Sequence, residues 1–185
     1  MCKGGLSSQQ GGKTFARSLI KNDEYQTFHP ACKSLQGKNC DAYAFIYLDG
    51  NPNDSKFEGG DQGFNALFEE VVQYVNSLIV GYAFADKKPA FGASSDRDGI
   101  LTFLWYVERY LRMGRQDFPQ AYKVLRDDKC WREAILTIWG RAWFYLEKTK
   151  NMKGLGINDK KLEGLVKNPE LLNEIQLLRN KQGCP

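Results

Sequence analysis

Three tryptophans, a phenylalanine and a tyrosine fall within Cys130–Lys150, CWREAILTIWGRAWFYLEKTK, and so many large aromatic groups in one stretch cannot all face water. At about 100° per residue, Trp131, Ala134, Ile135, Ile138, Trp139, Ala142, Trp143, Tyr145 and Leu146 share one broad sector, with Phe144 outside it. The segment reads as a helix covered on more than one side and set at the centre of the fold. Gly140 falls mid-helix, where glycine costs about 1 kcal/mol relative to alanine; a close crossing by another helix or an ordinary surface position accounts for it equally well. Arg141 borders the apolar sector, and a guanidinium there must reach either water or a carboxylate. It is expected to be partly buried against an acid, with Glu70, Asp98 and Glu108 as candidates.

The rest of the chain supplies the cover. From Phe64 to Phe84 the apolar residues Phe64, Leu67, Phe68, Val71, Val72, Val75, Leu78, Ile79 and Tyr82 occupy a sector of about 160°, opposite Glu69, Gln73 and Asn76. Val80 and Phe84 interrupt the polar side, so the last turns are expected to be enclosed. Ser95 or Asp96 suits the N-cap of a helix running to about Gln116. Its core face carries Ile100, Phe103, Leu104, Val107, Tyr110 and Leu111, while Leu101 and Trp105 emerge beside Glu108, Arg109 and Arg112. Trp105 and Arg109, four residues apart, form a candidate cation–π pair.

A short helix over Phe118–Asp128 has Pro119 at a first helical position. Asp159–Val166 gives one or two turns, and Asn168-Pro169-Glu170 starts a last helix to Asn180 with asparagine as cap and proline at N1. Nearer the N-terminus, residues 1–13 read as a flexible tail, 14–28 as a short helix ending before His29-Pro30, 41–48 as a short strand or extended segment, and 49–63 as a loop. The expected fold is mainly α: one domain over residues 14–185, an irregular bundle of about five or six helices with a single short strand or extended segment.

At 185 residues the chain is long enough to bury a sizeable core in one domain. Its hydrophobic and charged fractions, 42% and 26%, argue against disorder, and no run nears the roughly 18 apolar residues of a membrane helix. A net charge of +4, with the cations scattered among 22 acids, lacks the clustered basic face of a nucleic-acid binder. Five cysteines, Cys2, Cys32, Cys40, Cys130 and Cys184, leave an odd one. Cys32 and Cys40 are spaced to close a small disulfide ring, which tips the expectation toward an extracytoplasmic compartment although the N-terminus shows no hydrophobic leader.

No motif specifies a reaction, and none calls for a cofactor. His29, Cys32 and Cys40 are the weak candidates for zinc ligands, without the paired CxxC knuckles that would make a site compelling. A hydrolase acting on polysaccharide would need two carboxyl groups about 5 to 9.5 Å apart. Glu69, Glu70 and Asp98 are its candidates, with Asp61 or Asp96 as alternative partners. The leading expectation is a noncatalytic binding domain for a protein or carbohydrate partner, exported or on a cell surface, using Trp105, Arg109, Arg112 and Arg141 as binding residues.

Overall fold

The computed structural model describes residues 63–85, 94–152 and 154–184. Within them the chain forms six helices and no strand: α1 (Gly63–Ala83), α2 (Asp96–Asp117), α3 (Pro119–Asp127), α4 (Lys129–Lys148), α5 (Asp159–Val166) and α6 (Pro169–Gln182). The tail, the 14–28 helix, the 41–48 strand, His29 and the Cys32–Cys40 ring lie outside the described residues.

The hub of the bundle is α2, which packs against each of the other five helices. Every residue from Arg97 to Leu111 is buried. The cause is circumferential: Ile100, Leu101, Phe103, Leu104, Trp105, Tyr106, Val107 and Tyr110 point in all directions around the axis, and a helix apolar all round has to be enclosed. The tryptophan-rich α4 is not the centre. Its buried set, Trp131, Arg132, Ile135, Ile138, Ala142 and Leu146, is a single stripe, with Trp139 and Trp143 half-buried at its margin and Phe144 in solvent. Helix α1 lies on both, and its Phe64 ring joins the three helices, standing 5.6 Å from Tyr110 on α2 and 5.8 Å from Trp131 on α4. The end of α1 is open, not enclosed: Val80 and Phe84 are 57% and 56% exposed.

The first turn of α2 holds the connection between α4 and α5. Buried Arg97 donates from Nη1 to the Leu146 carbonyl and Thr149 Oγ1, both at 2.6 Å, and from Nε to Asp159 at 2.7 Å. It thereby caps the C-terminal end of α4, where carbonyls lack helical partners and cations are favoured. Asp98 accepts the backbone N–H groups of Ile157 and Asn158, each at 2.9 Å. Gly99 is required one residue on, because a Cβ there would meet the Tyr74 ring at 2.3 Å. Ser95 occupies the N-cap but makes no cap bond through its side chain, while the Asp96 oxygens accept from the Ser77 and Ser94 hydroxyls.

The other helix ends follow local chemistry. Asp128 caps α4 by accepting from Cys130 and Trp131 N–H, at 2.8 and 3.2 Å, and Asn168 caps α6 through Glu170 N–H at 2.9 Å. Gly183, at φ 80°, closes α6 in the left-handed conformation that glycine adopts without strain.

Candidate functional site

Two regions hold chemistry that packing alone does not explain: the outward side of α4, and a buried acidic seam between α2 and α6. Along the outward side, Glu133, Thr137, Gly140, Arg141, Phe144 and Lys148 are all exposed, because the apolar stripe of α4 turns the opposite way. Gly140 has open space where its side chain would be, so none of the described helices crosses it. Arg141 is exposed and donates to Asn76 Oδ1 at 3.2 Å; among the described residues it has no acidic partner, which corrects the expectation of a buried ion pair. The stripe of α4 is narrower than the sequence suggested, and position 141 falls on its solvent side.

A groove of about 610 Å³ runs beside this line between α1 and α4, with Phe68, Val72, Ala134 and Ile138 supplying apolar walls and Lys129, Glu133, Thr137 and Arg141 the rim. Asn76, held by Arg141, also lines a second groove of about 460 Å³ with Val80, Phe84 and Asp96. Phe144 is 55% exposed, edge-on to Tyr145 at 5.1 Å, with the Lys148 ammonium 5.5 Å above its ring. Tyr145 continues to Tyr82 on α1 at 6.2 Å. Trp139 and Trp143 stand 6.2 Å apart further round, and Lys167 covers Trp143 at 5.3 Å. Aromatic faces alternate with cations, and anions or aromatic edges complement such a surface.

The seam is interior. Glu174 on α6 is wholly buried and accepts from Arg115 of α2 through three contacts of 2.7 to 3.1 Å. Glu108 is also wholly buried, and among the described residues neither of its carboxyl oxygens has a hydrogen-bond partner. Burial, and secondarily the charge of Glu174, pushes the Glu108 carboxyl up to about 10. Glu108 is therefore a neutral acid at pH 7. Tyr122 of α3, its hydroxyl buried without a partner among the described residues, is raised by burial and by the same Glu174. Sequence reasoning missed Glu174, although it falls on the apolar side of α6 between Leu171 and Leu178. Neither groove is lined by Glu108 or Glu174.

The residues expected to bind or catalyse are dispersed. Trp105 and Arg109 are interior, 0% and 2% exposed, with the guanidinium 5.0 Å from the indole centroid. The cation–π pair is present, but it is part of the core and offers no surface to a partner. Arg112 is largely covered and lies 3.7 Å from Glu170. Glu69 is exposed and Glu70 half-buried on α1, while both oxygens of Asp98 are taken by backbone N–H groups. Among the described residues no cluster of three or more ligand side chains could hold a metal, Cys130 is disulfide-bonded, and Cys184 is exposed with a free thiol. No described helix is long and apolar enough to cross a membrane. Comparison with known families, with curated proteins and with solved structures gives no match.

Proposed function

We propose that this chain is a noncatalytic interaction domain and that the outward side of α4, with the groove beside it, is the surface that meets a protein partner. The observation that carries this reading is the exposed line Thr137, Gly140, Arg141 and Phe144 along an open apolar groove. A helix that leaves a phenylalanine in water, and sets a glycine beside it where nothing packs, keeps two unfavourable features that an incoming surface would relieve. Exposed aromatic and arginine side chains are the residue types that anchor protein interfaces. The partner that fits presents apolar side chains for the groove and carboxylates for Arg141 and Lys148. The reading as a polysaccharide hydrolase has less support, since Glu69, Glu70 and Asp98 do not converge on either groove.

A photo-crosslinking residue placed at position 144 in the producing cell, against the same residue at exposed position 176 on α6, tests the assignment. Discrete adducts at 144, absent at 176 and lost on Arg141→Glu, are expected. Identical patterns at both positions, or none at 144, would overturn it.

A further inference from the structure

The outward line of α4 has a symmetry that identifies one partner. Six of its exposed residues are Glu133, Thr137 and Gly140 on one side of the point between Gly140 and Arg141, and Arg141, Phe144 and Lys148 on the other. Reflected through the point between Gly140 and Arg141, Glu133 falls on Lys148, Thr137 on Phe144, and Gly140 on Arg141. Acid is opposed to base, a small polar side chain to a large ring, and a bare backbone to a long guanidinium. A two-fold axis through that point lays a second α4 antiparallel on the first and makes every one of these pairs twice, as an isologous interface demands.

The groove agrees with the same axis. It opens beside Thr137, the position opposite Phe144, so the exposed ring of one copy faces the apolar walls Phe68, Val72 and Ile138 of the other. Knob and hole thus lie on one molecule at positions that the axis exchanges. Glu133 is already held on the surface by Lys129 at 3.6 Å and Gln182 at 3.2 Å, and Lys148 lies across its own Phe144 ring, free to swing to a facing carboxylate when that ring is taken up. The open space at Gly140 lets the two helix backbones approach and gives Arg141 of the facing copy a bed.

We infer that the partner of this surface is a second copy of the chain, bound through antiparallel α4 helices about a two-fold axis between Gly140 and Arg141, with Phe144 of each copy in the groove of the other. The inference rests on the interaction-domain reading above and names its occupant. One helix pair with a filled groove makes a modest interface, so self-association in the micromolar range is expected.

Sedimentation velocity of the purified full chain, from low to high micromolar concentration in a Cys184→Ser background that removes the exposed thiol, tests it. The expected result is a concentration-dependent dimer, with association at least tenfold weaker in Phe144→Asp. Lys148→Glu should weaken it likewise, and Lys148→Glu combined with Glu133→Lys should restore it, since the swap re-creates both ion pairs only in the antiparallel register. All three positions are exposed, and an unchanged thermal midpoint checks that each variant folds. A monomer throughout, a dimer indifferent to Phe144→Asp, or a double swap that fails to restore association would each overturn the inference. Foreign-protein adducts at position 144 alongside a purified monomer would leave the interaction surface standing and remove only the second copy.

Discussion

Helices α2 and α4 are of similar length and both rich in aromatic groups, yet one is enclosed on every side and the other is half open. Three of the four tryptophans belong to α4, so aromatic content alone would put it at the centre. What decides the matter is distribution around the axis. Apolar side chains encircle α2, whereas those of α4 are gathered on one stripe and leave Thr137, Gly140, Arg141 and Lys148 together on the far side. Enclosure has drawn Arg97, Asp98, Glu108 and Arg109 into the interior of α2, where each needs a compensating partner or a changed protonation state. Openness has left α4 with a surface to offer.

The comparison breaks most sharply at its aromatic groups. Trp105→Ala is expected to cost about 3–5 kcal/mol, the range for truncating a large buried aromatic, while Phe144→Ala should lie within about 0.5 kcal/mol of wild type as exposed positions do. Chemical denaturation of both variants measures this, and comparable losses would erase the distinction between the helices. Asp98→Ala, which orphans the Ile157 and Asn158 N–H groups, should cost about 2–3 kcal/mol in the same assay.

The helices also differ in their response to pH. The folded chain keeps the Glu108 proton up to about pH 10, whereas an unfolded chain releases it near the ordinary carboxyl value of 4.5. The stability this carboxyl allows is therefore full below about pH 4.5 and is lost as pH rises toward 10, by at most about 1.4 kcal/mol per pH unit. The charged group that acts on it at the seam is Glu174 from α6, which Arg115 of α2 holds. Glu108→Gln should flatten the slope of stability between pH 5 and 9, read as the difference from wild type in matched unfolding curves; parallel slopes would contradict the protonated acid. The last contrast is Gly140→Ala, which at a concentration low enough to keep the chain monomeric should raise stability by about 1 kcal/mol, since the new Cβ meets nothing within one copy. A loss there would mean that the outward side of α4 is not open in solution.

The described helices were legible in the sequence to within a residue or two, because amphipathic spacing and local caps such as Asn168-Pro169 act over a few residues. Which helix is central was not legible, because that depends on contacts among all six. Leu101 and Trp105 form a second contact side of α2 in the sequence, and that this side meets other helices of the same chain, and no external partner, depends on the same contacts. Arg141 was misjudged by about one helix position, enough to move a guanidinium from the edge of the stripe into water. Glu108 and Glu174 each sit among leucines at helical spacing, a pattern that flags a buried acid, but nothing in either segment alone says that Arg115 reaches one and leaves the other unpaired.

Hydroxyl-radical footprinting of the native chain, read by mass spectrometry at Trp105, Tyr106 and Phe144 together, bears most directly on the contrast between the enclosed and the open helix. Phe144 should be oxidised readily at low protein concentration while Trp105 and Tyr106 stay protected until the protein is denatured. Oxidation of Trp105 at a rate comparable with Phe144 in the folded protein would contradict it.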